Sequence, residues 1–374
     1  MYIPYGKQTI EQDDIDAVVE VLQSDYLTTG PKPLEFEQAV AEYVGAKYAV
    51  AVANGTAALH LACMAAGIKE GDEVITTPIT FAASANCVLY CGATPVFADI
   101  CKDTYNIDVE SIKAKITPRT KAIIPVNFTG QPCDMEPILA LAKEHKLMVI
   151  EDGAHSLGAS YQGKRIGSIG DMTTFSFHPV KHITTCEGGM ITTNNKALYE
   201  KLLLLRSHGI TREPSKLMKQ EGPWYYEQQD LGYNYRISDV QCALGISQLK
   251  KLDTFVAKRR AIAKRYDKAF ASVDNIVTPK QLPAGKSSYH LYVIQVKNHD
   301  RRKVFEALRE KGIGVNVHYI PVYQHPYYQQ NGYESVICKE AQQLYEHMIS
   351  LPIYPLLKEE EQEYVIQTVK ELVQ

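Results

Sequence analysis

The sequence lacks the patterns that mark zinc-binding, secreted and membrane-spanning proteins. Its eight cysteines are scattered without a C-x-x-C pair, and most lie in apolar segments, which is typical of buried free thiols. No apolar run reaches the roughly 20 residues of a membrane span, and the chain does not open with a basic region followed by an apolar stretch. We therefore expect a cytoplasmic protein that does not bind a membrane.

A dominant charge of one sign is also missing. Forty Lys and Arg residues stand against 43 Asp and Glu residues, for a formal net charge of -3, so there is no general electrostatic attraction to nucleic acid or to an anionic surface. The 374 residues are 45% hydrophobic, which suffices for one large core and a second, smaller one. We expect small molecules, and not nucleic acid, as partners.

Two motifs are incomplete in ways that argue against common sites. His178 and His182 have the H-x-x-x-H spacing of a metal pair, but Pro179 lies between them and breaks the helix that such a pair needs. The sequence therefore predicts no metal site and leaves both histidines without a role. The three glycines between residues 163 and 170 do not match G-x-G-x-x-G, which argues against a Rossmann dinucleotide site.

What the sequence does contain is a regular alternation of strands and helices. Short β-branched runs are separated by helical patterns, and they lie at residues 48–52, 73–76, 94–97, 121–126 and 147–150. This alternation predicts an α/β fold with a mainly parallel sheet covered on both faces. Ligands of such folds bind at the carboxyl ends of the strands.

The last third of the chain changes character. A long helix is expected from Ser238 to about Tyr266, and beyond Lys280 strand and helix patterns predict a smaller α+β unit that ends in a helix near Leu372. We predict a large domain of residues 1–245 and a small C-terminal domain of residues 246–374. The first residues of the chain are expected to pack on the small domain.

Lys181 lies on a connection, because it follows a strand-like run that ends at Phe177 and because Pro179 forbids a regular helix there. A lysine on a loop is most often a solvated surface charge. Here two phenylalanines precede it, no acid is close before it, and Glu187-Gly188-Gly189 forms a turn that allows close approach. A lysine in such a setting can lose its proton and form a Schiff base.

Two polar clusters near predicted strand ends each have two interpretations. Asn54-Gly55-Thr56 begins a helix and suits a phosphate, but an ordinary N-cap explains the same residues. Asp152 and His155 directly follow an apolar run, which places them at the mouth of a ligand site. The carboxylate of Asp152 is equally well explained as a helix cap.

Three further segments have two interpretations each, a role in ligand binding and a purely structural role. Asn234 precedes a helix start, where solvation is the default. Arg206 and His208 follow a helical run and suit its C-terminal dipole. The segment 318–328 is dense in Tyr, His and Pro, as a sugar or nucleotide pocket or a packed domain interface would be.

Taken together, five segments resemble the DegT/StrS-type nucleotide-sugar aminotransferases, a group of fold-type I pyridoxal phosphate enzymes. The segments are Asn54-Gly55-Thr56, Thr77-Pro78-Ile79-Thr80-Phe81, Glu151-Asp152-Gly153-Ala154-His155-Ser156, Ser176-Phe177-His178-Pro179-Val180-Lys181 and Leu231-Gly232-Tyr233-Asn234-Tyr235-Arg236. The resemblance runs nearly end to end. It implies a mainly parallel seven-stranded sheet between helices in the large domain, with a smaller C-terminal α+β domain.

The resemblance also implies the cofactor, pyridoxal 5'-phosphate, and roles for single residues. Lys181 would hold the cofactor and then transfer a proton, and Asp152 would pair with the pyridinium nitrogen. The other cofactor contacts would be Phe81 on a ring face, His155 close to the ring or its phenolic oxygen, Gly55, Thr56 and Ser176 at the phosphate, and Asn234 from the neighbouring subunit of a homodimer. The substrate contacts would be His318, Tyr323, Arg206 and His208.

Within the family, the motifs around Lys181 and His318 look most like those of the transaminases of pseudaminic acid synthesis. The implied reaction moves an amino group from an amino acid, with L-glutamate expected, to C4 of a UDP-linked 4-keto-6-deoxy-N-acetylhexosamine. A sister enzyme for another nucleotide-linked 4-keto or 3-keto sugar and a cofactor-binding regulatory protein remain as alternatives. Lys181 stands where dehydratase relatives have a histidine, which favours transamination.

Overall fold

The computed structural model describes residues 2–373 of the chain. Its helices are α1 (Gln12–Leu22), α2 (Lys32–Val44), α3 (Gly55–Ala65), α4 (Ala83–Tyr90), α5 (Val109–Lys115), α6 (Met135–His145), α7 (Lys196–Arg206), α8 (Asp239–Leu249), α9 (Leu252–Phe270), α10 (Arg301–Glu310), α11 (Pro326–Tyr328), α12 (Lys339–His347) and α13 (Glu359–Val373). Its strands are β1 (Tyr48–Val52), β2 (Glu73–Thr76), β3 (Thr94–Phe97), β4 (Thr120–Ile124), β5 (Met148–Asp152), β6 (Ser160–Tyr161), β7 (Lys164–Arg165), β8 (Met172–Ser176), β9 (Gly189–Thr193), β10 (Ile210–Thr211), β11 (Glu227–Gln228), β12 (Ile276–Val277), β13 (Gly285–Lys286), β14 (Tyr292–Val296) and β15 (Met348–Leu351).

A seven-stranded sheet organises the larger part of the molecule, in the order β1-β9-β8-β5-β4-β2-β3. The strands from β3 to β8 pair in parallel, and β9 is antiparallel to both of its neighbours. Strands β2 and β9 are buried along their whole length, as expected for strands covered by helices on both faces. The predicted mainly parallel seven-stranded sheet is confirmed.

All strands of this sheet except β9 run in one direction, so their carboxyl ends meet at a single edge. Asp152 ends β5, Ser176 ends β8, and Asn54 follows β1. The segment that carries Lys181 connects β8 to β9 across this edge. Three separate parts of the sequence are thereby brought together at the place where parallel sheets bind their ligands.

Capping residues set several helix starts. The Asn54 side chain accepts a hydrogen bond from the Ala57 amide (2.8 Å) at the start of α3. Ser238 and Gln241 form a capping box at the start of α8. The single helix predicted from Ser238 to about Tyr266 is instead two helices, α8 and α9. They meet at Lys251, whose ammonium pairs with the buried Asp14 of α1 (2.9 Å).

The buried apolar side chains of residues 2–373 form four clusters, and each of these contains residues of both halves of the chain. Buried residues such as Phe36 and Phe175 pack under the large sheet. A second core lies between the β12-β14-β15 sheet and the C-terminal helices, and it includes Ile3. Helix α9 contributes Leu252 to the first core and Ile262 to the second. The division into a large domain of residues 1–245 and a small domain of residues 246–374 stays a prediction. Among residues 2–373, no helix is long and apolar enough to cross a membrane.

Candidate active site

A cavity of about 620 Å³ opens at the carboxyl edge of the large sheet. Its sheet wall, as we call it, contains Gly55, Thr56, Asp152, His155, Ser176 and Lys181. The opposite side, the C-terminal wall, consists of Asn316, Val317, His318 and Tyr319. Phe81 stands at the mouth with 62% of its surface exposed. Eight of the twelve predicted site residues therefore line one cavity.

Lys181 is held in a closed loop between β8 and β9. The Phe177 amide donates to the Gly188 carbonyl (2.9 Å) and the Thr185 amide donates to the Phe177 carbonyl (3.0 Å), which fixes the loop ends. Burial lowers the pKa of Lys181 to about 8, and the Asp152 carboxylate offsets part of this shift. A much larger fraction of this amine is unprotonated at neutral pH than for an ordinary lysine, as a nucleophile or base requires.

Asp152 is buried and oriented by two donors. The Ser84 hydroxyl donates to Oδ2 (2.6 Å), and the Ala154 amide donates to Oδ1 (3.1 Å). Burial raises the pKa of Asp152, while these hydrogen bonds and the nearby Lys181 act in the opposite direction. The next regular element along the chain is the strand β6, so the helix-cap interpretation of Asp152 does not apply.

At the start of α3, both interpretations of Asn54-Gly55-Thr56 apply, the helix N-cap and the anion site. Asn54 is the N-cap, while Gly55 and Thr56, in the first turn of α3, line the cavity. A Cβ atom on Gly55 would lie 2.9 Å from Cβ of Ser176, so glycine permits the close approach of this helix to β8. A helix N-terminus beside two hydroxyl side chains is a favourable anion site.

His155 is buried in the sheet wall and remains neutral. Burial lowers its pKa well below the usual range, and the nearby Lys181 acts in the same direction. Its Nε2 lies 3.1 Å from the Tyr319 hydroxyl. Its Nδ1 is buried and has no hydrogen-bond partner among residues 2–373. A buried polar atom without a partner is uncommon and, in a residue that lines a cavity, is a candidate contact for a ligand.

Both ring nitrogens of His318 have hydrogen-bond partners within the protein. Its Nε2 lies 3.2 Å from Asn316 Nδ2 and its Nδ1 lies 2.9 Å from Ser350 Oγ. Burial lowers the pKa of His318 to about 4, so the ring is neutral at physiological pH. Its ring is 5.4 Å from that of Tyr5, which also lines the cavity. His318 therefore offers a ring surface to a ligand and not a charge.

Four predicted site residues lie outside the cavity of this chain. Arg206 donates to the Ala51 carbonyl (2.8 Å) and pairs with Glu37, so its guanidinium serves the fold. Tyr323 is 4% exposed and packs on Phe97. His208 and Asn234 are exposed on adjoining segments. Roles for them at the site of a second subunit stay predictions.

The histidines on either side of Pro179 have different surroundings. His178 is exposed at the rim of the cavity. His182 is buried behind Lys181, with its Nε2 3.1 Å from the Ser288 carbonyl and its ring 5.6 Å from that of His290. Burial lowers the pKa of His182 well below the usual range, so it is a neutral packing group.

Sequence reasoning missed Ser84, Tyr319 and His290. Ser84 contacts Asp152 across 68 positions of sequence, which no local pattern reveals. Tyr319 lies in the aromatic segment 318–328 that the sequence singled out, but only the fold shows that its hydroxyl reaches His155. His290 lies just before β14 and lines the cavity.

The DegT/DnrJ/EryC1/StrS aminotransferase family matches residues 8–370, and the chain belongs to this family. It is thus an enzyme, and aminotransferases of this family use pyridoxal 5'-phosphate. The family and the cofactor that the sequence predicted are confirmed.

Individual relatives match along almost their whole length. A UDP-4-amino-4,6-dideoxy-N-acetyl-beta-L-altrosamine transaminase of Campylobacter jejuni is 42% identical over 98% of this chain and 96% of its own. The solved structure of Helicobacter pylori PseC, an aminotransferase involved in the biosynthesis of pseudoaminic acid, has a TM-score of 0.93 at 36% identity and covers 100% of this chain and 99% of its own. The PLP-form of Spr1654, a putative sugar aminotransferase from Streptococcus pneumoniae, has a TM-score of 0.94 at 32% identity with the same coverage.

Proposed function

We propose that this enzyme transfers an amino group from L-glutamate to C4 of a UDP-linked 4-keto-6-deoxy-N-acetylhexosamine, a step of pseudaminic acid biosynthesis. The observation that carries aminotransfer is the lysine of lowered pKa, Lys181, beside the buried carboxylate of Asp152 in one cavity. The names of the Campylobacter and Helicobacter relatives support a sugar as the acceptor.

The residues of the sheet wall fit the phosphate and the ring of pyridoxal phosphate at two points. The N-terminus of α3 with Gly55, Thr56 and Ser176 suits the phosphate. The unpaired Nδ1 of His155 suits an oxygen of the ring. When bound, this cofactor supplies an electron sink for the carbon that loses its proton.

Lys181 has two tasks in this reaction. Its unprotonated Nζ would hold the cofactor, for which a pKa of about 8 is suitable. When not holding the cofactor, the same nitrogen would remove a proton from the donor carbon and return one to the neighbouring position. Because its loop is fixed at both ends, the nitrogen stays close to these atoms throughout.

Asp152 would hold a proton on the pyridine nitrogen of the bound cofactor. A buried carboxylate without a cation is costly, which is why burial raises its pKa in the cofactor-free chain. A pyridinium cation beside it would compensate for this cost and keep the carboxylate ionised. Ser84 holds the carboxylate in one orientation by donating to Oδ2.

The C-terminal wall is proposed to contact the sugar. Asn316, His318 and Tyr5 present neutral polar and aromatic surfaces, which suit the faces and hydroxyl groups of a sugar ring. Among the described residues that line the cavity, Lys181 is the one lysine or arginine. Cationic side chains that pair with the diphosphate of a nucleotide sugar must therefore come from outside this cavity lining. We propose a homodimer in which the exposed Asn234 reaches the site of its neighbour.

A sister enzyme for another nucleotide-linked keto sugar is the second candidate. The structure of Spr1654 is as similar to this chain as that of PseC, so the fold alone does not select the sugar. NMR and mass spectrometry of the products from a panel of UDP- and dTDP-linked 4-keto and 3-keto sugars test the choice. We expect a UDP-linked 4-amino product. A preferred 3-amino or dTDP-linked product would replace our proposal with the sister enzyme.

A regulatory protein that binds the cofactor without aminotransfer is tested by the same panel, because it would give no amino sugar at all. The cytoplasmic location of the enzyme stays a prediction.

A further inference from the structure

The hydrogen bond between His155 and Tyr319 connects the two walls of the cavity. The Tyr319 hydroxyl lies 3.1 Å from Nε2 of His155, and the two rings are inclined by only 23°. Among residues 2–373 this is the only hydrogen bond of the Tyr319 hydroxyl, and Nδ1 of His155 has none. The proton on the imidazole can therefore occupy either nitrogen, and the direction of this hydrogen bond decides which.

His155 carries one ring proton and not two. The groups that act on its charge are Lys181, His318 and His182, and each of them disfavours the imidazolium form, as does burial. No carboxylate is among the groups that shift its pKa. A neutral imidazole has one donor and one acceptor nitrogen.

The phenol is the better donor of the pair. Burial raises the pKa of Tyr319, so it keeps its proton and needs an acceptor. If Tyr319 donates to Nε2, the imidazole proton is on Nδ1 and one donor is left for a ligand. If the phenol instead accepts from Nε2, its own proton and the Nδ1 lone pair are both left unpaired. Because unpaired buried polar groups are costly, the first arrangement is favoured.

We propose that Tyr319 is a positioning residue that donates to Nε2 of His155, fixes the imidazole proton on Nδ1 and so presents an Nδ1–H donor to an acceptor atom of the ligand in the sheet wall. The identity of that acceptor, an oxygen of the pyridoxal ring, rests on the proposed function. The tautomer does not, since it is a property of the protein without cofactor.

The aromatic neighbours of Tyr319 support this role. Its ring lies 6.2 Å from that of Phe81 and 6.4 Å from that of Phe128, so aromatic side chains surround it on more than one side. His290 lies closest to His155, with ring centres 4.4 Å apart, and its own Nδ1 is also unpaired. A hydrogen bond between the two Nδ1 atoms is absent, so Tyr319 is the one partner that acts on the tautomer in the described residues.

The tautomer is measurable in the cofactor-free protein labelled with ¹⁵N-histidine. Long-range ¹H–¹⁵N spectra distinguish Nδ1–H from Nε2–H, and the His155 signals are assigned by their loss in His155→Gln. We expect the Nδ1–H form in the wild-type protein and a loss of this preference in Tyr319→Phe. The matched control is Tyr48→Phe, which removes the hydroxyl of a half-buried tyrosine on β1, outside the cavity, and should leave the His155 signals in place.

Equilibrium binding of pyridoxal phosphate gives the second measurement. Tyr319→Phe should bind the cofactor roughly three- to tenfold more weakly, because one oriented hydrogen bond is lost, and the visible absorption of the bound cofactor should shift. Tyr48→Phe should keep the affinity and the absorption of the wild type.

Two results would overturn the proposal: a wild-type His155 with its proton on Nε2, or a Tyr319→Phe variant with the wild-type tautomer. A confirmed tautomer in a protein that aminates no sugar would contradict the proposed function and leave the tautomer assignment standing.

Discussion

In the sheet wall of the cavity, Lys181 and Asp152 have pKa values displaced by burial, and the first turn of α3 lines the cavity. In the C-terminal wall, both nitrogens of His318 are paired with protein groups, and this histidine is neutral. The sheet wall therefore contains groups that are ready to react with a ligand. The polar groups of the C-terminal wall are already hydrogen-bonded within the protein, and this wall mainly contributes its shape. The difference suggests that chemistry belongs to the sheet wall and recognition to the C-terminal wall.

Removal of Lys181 from the sheet wall is expected to have the largest effect on activity. Lys181→Ala should lower the turnover number at least about 10⁴-fold, because a single nitrogen acts as both nucleophile and base. The visible absorption of bound cofactor should change as well, since the covalent link is gone. Lys164→Ala, an exposed lysine on β7, is the control and should keep full activity. Measurable cycling of amino groups by Lys181→Ala would contradict the assignment.

Asp152→Asn separates binding of the cofactor from its activation. The amide is similar in size but has no charge to hold the proton on the ring nitrogen, so we expect turnover to fall roughly 10²- to 10³-fold while cofactor is still bound. Stopped-flow kinetics and equilibrium dialysis measure the two effects. If the variant turns over like the wild type, the sheet wall does not activate the cofactor through this carboxylate.

The lowered pKa of Lys181 also has a cost in stability. The unfolded chain titrates this lysine near 10.5 and the folded chain near 8, so between these pH values the unfolded state binds more protons. The contribution of Lys181 to stability is therefore unfavourable below pH 8 and improves as the pH rises towards 10.5. Because the side chain is partly exposed, we expect Lys181→Met to stabilise the cofactor-free protein by about 1–2 kcal/mol at pH 7.

Thermal unfolding at a series of pH values measures this gain, which should shrink as the pH approaches 10.5. Lys164→Met is the matched control and should show no such gain. A Lys181→Met protein that is less stable than the wild type at pH 7 would contradict the lowered pKa.

Ser84→Ala tests whether activity depends on the orientation of the Asp152 carboxylate as well as on its charge. Loss of the hydrogen bond to Asp152 should lower turnover about tenfold, since a bond to a charged group contributes about 1.5 kcal/mol. Ser84→Thr keeps a hydroxyl and should recover part of the loss. Equal activity of the alanine variant and the wild type would show that Asp152 needs no orienting donor.

The smallest effect is expected in the C-terminal wall. His318→Gln should raise the KM for the keto sugar roughly three- to tenfold and leave the rate of the half-reaction with glutamate nearly unchanged. Because the pKa of His318 is about 4, the wild-type KM should not titrate through this residue between pH 6 and 8. A large loss in the glutamate half-reaction would show that the C-terminal wall takes part in the chemistry.

The sequence predicted the sheet and the sheet wall because their signals are local. Buried parallel strands are continuous β-branched runs, and the residues that follow them necessarily meet at one edge. The pairing of Arg206 with Glu37 joins positions 169 residues apart, so an arginine that looked available is used by the fold. Ser84 and Tyr319 depend on similar long-range contacts, which no spacing rule contains.

The half-reaction with glutamate in the wild-type protein tests the central claim most directly. The purified enzyme with pyridoxal phosphate is mixed with L-glutamate in the absence of any sugar, and the visible absorption and the formation of 2-oxoglutarate are followed together. We predict loss of the visible band with one equivalent of 2-oxoglutarate per active site. A protein that binds the cofactor but converts neither glutamate nor another amino acid would contradict the account.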